Sequence, residues 1–323
     1  MAQLPVTMCE AFQATAARFP QQVALRAADG AATITWGQYA ARVRRIAAGL
    51  AGLGVGPGET VALMMTNRPE FHLVDTAAFH LGAAPFSVSS TLAVEKVRQV
   101  LAHAGSRMVV CEREFVPHLL AARRGTAVEH VVCVDGRLEG AITLAGLEAA
   151  RDLGPGFDAR WRAVDPGDLL TVVYTPGTIG PPEGVEVTHA QILAGLTATS
   201  PVLRAGPYDR AISYLPMAHL AERYAGHYGA MFAGVQVTPL ADATMLPGAL
   251  QDIRPTILAA GSREWEKLMT AAEANRQADQ QVLSKVRFAL GLDQVRIALC
   301  GAAPAAPAVL EFLPSLGIAV AEV

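Results

Sequence analysis

Short apolar, β-branched runs alternate with helical stretches along nearly the whole 323-residue chain, and this rhythm restricts the fold more than any other feature. "TVALMM", "APFSV", "RMVVCE" and "HVVCVD" are continuously apolar, without the polar alternation of a strand that faces water on one side. Strands of that kind belong to parallel sheets covered on both faces by helices. "VALRA" and "ATITW" read as further short strands. Between the strands, Tyr39, Val43, Ile46, Leu50 and Leu53 recur at steps of three and four, one helical stripe stopped by "GVGPG". Thr7 and Glu10 have capping-box spacing ahead of Met8, Phe12, Ala16 and Phe19. Further helices are expected from about Pro69 to Leu81 with Asn67 near the cap, through Val94, Val97 and Leu101, and over "FVPHLLAARRG".

The same rhythm resumes after Gly167. "DLLTVVYT", "RAISYLP", "VQVTPL", "QVRIALCG" and "IAVAEV" read as strands. Ala190 to Thr199, His219 to Phe232 and "PAVLEFLPSLG" read as helices, and the polar stretch "REWEKLMTAAEANRQADQQVLSKVRFAL" as two. The Gly- and Pro-punctuated segment "DLGPGFDARWRAVDPGD" is the natural boundary. It divides the chain into two α/β subdomains, 1–165 and 166–323, each built on a parallel sheet.

Hydrophobic residues make up 52% and charged ones 17%, enough apolar side chain for a large core. A net charge of −3 with scattered basic residues argues against nucleic acid as a partner. Cys9, Cys111, Cys133 and Cys300 are far apart, with no C-x-x-C pair and no metal-ligand spacing, as in a reducing cytoplasm. No run approaches the ~18 apolar residues of a membrane span, and the start has no secretory pattern. Peripheral membrane contact is left open.

"YTPGTIGPPEGV", Tyr174 to Val185, is the densest loop signal. It follows an apolar strand and leads into "EVTHAQILAGL", which reads as a helix start. Glycines let backbone amides approach anionic oxygens, and threonine hydroxyls add donors, so a loop of this kind suits a phosphate. Glu183, however, places an acid within it.

The motifs taken together resemble the adenylate-forming acyl-CoA synthetases, and among them the long-chain fatty-acid–CoA ligases. The family loop reads approximately Y-T-S-G-T-T-G-x-P-K-G-V followed by x-x-T-H; here Tyr174, Thr175, Gly177, Thr178, Gly180, Pro182, Gly184, Val185, Thr188 and His189 match. "ISYLPMAHLAER" (212–223), "PTILAAGSREWEKL" from Pro255 and "GAAP" at Gly301 to Pro304 resemble three further family motifs, in family order. The resemblance implies a three-layer N-terminal domain of two parallel-sheet subdomains. It also implies a reaction in which a fatty carboxylate attacks the α-phosphate of ATP and coenzyme A thiol then displaces AMP. ATP, Mg²⁺ and coenzyme A are the implied cofactors, and a fatty acid the implied substrate. Thr175, Gly177, Thr178, Gly180, Glu183 and Gly184 would form the phosphate loop. His219 would lie where the acyl pocket meets the adenylate, and Gly301, Ala302, Ala303 and Pro304 would line the adenine side. No catalytic or metal-ligating residue is assigned.

Four positions depart from the family pattern. Pro176, Ile179 and Glu183 stand where serine, threonine and lysine are usual, removing two hydroxyls and one amide and reversing a charge; Ser262 replaces a proline. The sequence also stops at "AEV", where the family continues with Y-G-x-T-E and a small domain carrying the catalytic lysine. The expectation is therefore a chain of ligase ancestry that binds ATP poorly and forms no acyl-CoA alone. The alternatives are a degenerate acyl- or nucleotide-binding remnant, or an interaction protein completed by another chain. His189 reads as structural, and Trp265, Glu266 and Lys267 as packing.

Overall fold

A computed structural model of the chain describes residues 4–149, 152–175, 182–273, 280–301 and 306–322. Among them, five parallel strands form one sheet in the order Ala84–Ser87, Thr60–Met64, Met108–Cys111, His130–Cys133 and Ile142–Thr143. Its strands are apolar on both faces because both faces are covered. Val61, Leu63, Met108, Val110 and Val132 join a core shared with helices Met8–Arg18, Trp36–Gly52 and Pro69–Phe79. Ala62, Met64, Val109, Cys111, Val131 and Cys133 point the other way, into a core shared with helices Val94–Ala104 and Val116–Ala122. Alternate residues feeding two cores is the period-2 geometry of a strand with no wet side.

A second sheet of seven strands runs Val320–Glu322, Ile297–Gly301, Ile257–Gly261, Arg210–Ser213, Gln236–Pro239, Val23–Arg26 and Thr33–Thr35. All its pairings are parallel except the last, Val23–Arg26 against Thr33–Thr35. Helices Leu246–Ile253, Ser262–Glu273, Gln280–Ala289 and Pro307–Phe312 enclose a core around Leu258, Trp265, Ala298, Cys300 and Phe312. The architecture is the mixed α/β, parallel-sheet arrangement expected. Residues 23–35 cross into the sheet built by residues after 210, so we propose that the division near residue 165 separates the two sheets while this early hairpin bridges it.

Two local expectations are corrected. The stretch after the Gly-rich loop does not begin a helix. Glu183–Thr188 is a strand, antiparallel to Leu169–Thr175, with Val173 opposite Val185 and Thr175 opposite Glu183. Val185, Val187 and Thr188 are β-branched and fit a pleated surface. The helix is deferred to His189–Leu203 by a capping box in which Thr188 and Gln191 bond reciprocally. The second correction concerns 219–232. It is one α-turn, Leu220–Glu222, then seven π-helical residues, Arg223–Gly229, then Ala230–Ala233. Two glycines, Gly226 and Gly229, and the buried polar side chains described below accompany the wider turn.

Candidate functional site

Three parallel strands end on one side of the seven-stranded sheet. Arg210–Ser213 leads into "YLPMAH", Ile257–Gly261 into "SREWEK", and Ile297–Gly301 into "GAAP", with Gly261 in register opposite Gly301. In open parallel sheets, ligands bind in the crevice outside these carboxyl ends. The strand ends that lead into these segments therefore lie side by side, although they are separated by up to ~90 positions in the chain.

The turn after Ser213 is closed by its own backbone. The His219 amide donates to the Pro216 carbonyl at 2.9 Å. Asn67, at the carboxyl end of strand Thr60–Met64, reaches across from the other sheet and donates to the Leu215 carbonyl at 2.7 Å and to Ser213 Oγ at 3.2 Å. The Leu215 amide donates to Glu222 Oε2 at 3.2 Å. Glu222 is buried, and burial pushes its carboxyl up to about 7, against the opposing pull of its hydrogen bonds from Ser213 and Leu215. A β-carbon on Gly226 would stand 2.0 Å from Glu222 Oε1, so the glycine makes room for the carboxyl. His219 itself is exposed, at the start of the helical turn.

Behind this turn lies a buried polar network. Arg223 is 1% exposed and Asp75 is fully buried, and the guanidinium pairs with the carboxylate. Arg223 also donates to Ser87 Oγ at 2.8 Å, the Pro85 carbonyl at 3.2 Å and the Tyr228 hydroxyl at 3.2 Å. His227 Nε2 lies 2.9 Å from the second Asp75 oxygen, and His227 Nδ1 lies 2.8 Å from His72 Nδ1. Burial lowers the pKa of both histidines. Two imidazole nitrogens in contact need one donor and one acceptor, so His227, oriented by Asp75, and His72 hold complementary roles. Tyr39 extends the network by donating to the His72 carbonyl at 2.8 Å.

The hairpin that carries the Gly-rich loop docks beside the five-stranded sheet, where Thr171 Oγ1 donates to the Pro85 carbonyl at 2.7 Å. Tyr174 packs on Phe86 with ring centroids 5.2 Å apart, and its hydroxyl bonds His103 Nδ1 at 3.0 Å. Thr175 and Glu183 pair at the mouth of the hairpin, and Glu183 is exposed. Gly177, Thr178 and Gly180, like Ala302, Ala303 and Pro304, lie outside the described residues, as do Pro176 and Ile179. Gly184 has a packing reason to be glycine: a β-carbon there would sit 2.7 Å from Val172 Cγ1 and 3.2 Å from the Tyr174 ring. Gly184→Val is expected to destabilise the chain by about 1–3 kcal/mol through overpacking, read by urea unfolding. An unchanged midpoint would refute that contact.

His189 and Trp265 fill structural positions. His189 is buried, its Nδ1 accepts from the Met8 amide at 3.1 Å, and burial lowers its pKa to about 4. Trp265 is fully buried and donates to the Leu299 carbonyl at 3.0 Å. Asp75, Glu222, Arg223, His227 and His72 were not expected at the site. The available signal was Asp75 in "FHLVDTAAF", the one acid beyond the first turn of a largely apolar helix, which has to be paired if that part of the helix is buried.

Comparison with known proteins places the chain. The AMP-binding enzyme family model matches residues 12–323. An uncharacterized protein of Mycobacterium tuberculosis (strain ATCC 25618 / H37Rv), Rv1549, is 54% identical over 132 residues, which are 41% of this chain and 74% of that protein. A putative fatty-acid–CoA ligase of the same strain, fadD11, is 38% identical over 230 residues, covering 58% of this chain and 40% of the ligase. Among solved structures, the inhibitor-bound N-terminal domain of FACL13 from Mycobacterium tuberculosis superposes with a TM-score of 0.77 at 22% identity, over 98% of this chain and 75% of that one. The chain thus spans less than half of the curated ligase it matches. With a family model over nearly its whole length and the parallel-sheet architecture of an acyl-CoA ligase N-terminal domain, this chain belongs to the AMP-binding enzyme family.

Proposed function

We propose that the chain is the adenylate-binding part of a fatty-acid–CoA ligase. A fatty carboxylate oxygen would attack the α-phosphorus of ATP, expelling pyrophosphate and leaving an acyl-adenylate. The coenzyme A thiol sulfur would then attack the acyl carbon, expelling AMP and releasing the thiol proton. The observation that carries this reading is that the strands Arg210–Ser213, Ile257–Gly261 and Ile297–Gly301, which lead in sequence into "YLPMAH", "SREWEK" and "GAAP", are adjacent and parallel, with their carboxyl ends side by side. The turn bearing His219 would face the acyl end of the adenylate, and Gly301 and its successors the adenine. Among the described residues no group of three acidic, histidine or cysteine side chains is placed to hold a metal. Mg²⁺, implied by the family, would neutralise charge on the phosphates of the nucleotide. Among the same residues no helix is long and apolar enough to cross a membrane. A cytoplasmic location is part of this proposal, supported by four cysteines with no C-x-x-C pair in the sequence.

Turnover by these 323 residues alone is expected to be absent. The test is release of pyrophosphate and formation of radiolabelled palmitoyl-CoA from palmitate, Mg-ATP and coenzyme A. Robust product would contradict the expected inactivity.

Glu183 sets a second expectation. A carboxylate about 4 Å from a phosphate oxygen costs roughly 1 kcal/mol in water and about 4 kcal/mol at an intermediate dielectric. Changing Pro176→Ser, Ile179→Thr and Glu183→Lys together is expected to tighten ATP binding at least about tenfold. Glu183→Lys should contribute most, and its share should shrink at high salt. Nucleotide titration of the single and triple variants checks this, and equal affinity for parent and triple variant would show that the loop is not limiting.

A further inference from the structure

The Asp75 network joins elements that nothing else in the proposed site explains. Asp75 and His72 lie on helix Pro69–Phe79, and Ser87 and Pro85 on the edge strand of the five-stranded sheet. Arg223, His227 and Tyr228 lie on the π-helical segment that follows the His219 turn. Arg223 engages three side chains and one carbonyl from these elements while being 1% exposed. Fully buried arginine–aspartate pairs are weak devices for stability, since well-packed apolar residues of similar size often do as well. They are strong devices for geometry, because a forked guanidinium accepts its partners in one orientation. A π-helical turn is also an uncommon backbone state that concentrates at functional sites.

We infer that Asp75, Arg223 and His227 are positioning residues: they hold the π-helical segment, and with it the His219 turn, at a fixed distance from the five-stranded sheet, so that the acyl end of an adenylate fits between the two. The inference rests on the proposed adenylate site. The chain of contacts is continuous. Arg223 fixes the segment from one side through Asp75, Ser87 and Pro85. The Arg223 amide donates to the His219 carbonyl at 3.2 Å, and the neighbouring Glu222 holds the Leu215 amide. A shift of the guanidinium is thereby passed to both ends of the 215–219 turn. His227 adds the second Asp75 oxygen and His72, which prevents the carboxylate from rotating away from Arg223.

The experiment separates geometry from stability. The double variant Asp75→Leu, Arg223→Met removes the pair without leaving a lone buried charge, and Arg223→Lys keeps a cation opposite Asp75 but gives up the fork. Each is compared with the parent in two measurements: titration with the non-hydrolysable mimic palmitoyl-sulfamoyl adenosine, and amide hydrogen exchange over residues 212–229. We expect both variants to unfold within the range of the parent or above it for the double variant, and to bind the mimic about ten- to a hundredfold more weakly. Exchange should quicken in 212–229 while helix Trp36–Gly52 stays protected. Parent-like affinity and exchange in a folded double variant would overturn the inference. If the parent fails to bind the mimic, the adenylate reading fails instead, and exchange alone decides whether the network fixes the segment. Should the double variant not fold, Arg223→Lys carries the same two readouts, with parent-like values again overturning the inference.

Discussion

Asp75→Ala is expected to lower the unfolding free energy by about 3–5 kcal/mol, the cost of leaving a buried charge without its partner. Arg223 would remain inside with Ser87, the Pro85 carbonyl and Tyr228, none of which carries a compensating negative charge at neutral pH. His227 would lose the carboxylate that orients it, and the contact with His72 would lose its fixed donor and acceptor. Urea unfolding measures the loss. A change below about 1 kcal/mol, typical of an exposed ion pair, would mean that water reaches the network.

The second large effect is a pH dependence at Glu222. Its carboxyl is raised to about 7 in the fold, above its ordinary value near 4.5, chiefly by burial. The folded state therefore binds the extra proton between these values and the unfolded state does not. Stability from this group is fully present below about 4.5 and is lost as the pH rises through about 7. Glu222→Gln keeps the shape and the acceptor for the Leu215 amide without the ionisation. The variant should match the parent near pH 4.5 and exceed it by about 3–4 kcal/mol at pH 8, from roughly 2.5 pH units at ~1.4 kcal/mol each. His80 and His189, lowered to about 3 and about 4 by burial, act with the opposite sign below about 6.5. They are common to both proteins, so the difference between the two curves isolates Glu222. Parallel curves for parent and variant would contradict the assignment.

Much of this fold is legible in the sequence because its strands are continuous apolar runs and its helices carry local caps. Thr7 accepts from the Glu10 amide as its spacing suggests, and Thr35 and Thr188 close full capping boxes. Four strands of the five-stranded sheet stand where "TVALMM", "APFSV", "RMVVCE" and "HVVCVD" place them, and the fifth, the two-residue Ile142–Thr143, has no such run. The hairpin Glu183–Thr188 is less legible. Its burial is irregular, its partner lies across a glycine-rich loop, and "THAQIL" advertises the helix that begins only at His189. The polar network was hidden for a different reason. Arg223 and His227 sit in "ERYAGHYG", which reads as the wet face of a helix, and only tertiary packing makes that stretch an interior. The segments proposed as the adenine-side turn and the phosphate loop stand out in the sequence as Gly- and Thr-rich motifs, and most of their residues lie outside the described ones.

Calorimetric titration of the 323-residue chain with palmitoyl-sulfamoyl adenosine tests the central claim most directly. The account predicts saturable binding at one site, competed by AMP and weakened when the acyl chain is shortened, because in the proposed site one ligand would span an adenine side at Gly301 and an acyl side at His219. A folded chain that gives no saturable binding would contradict it.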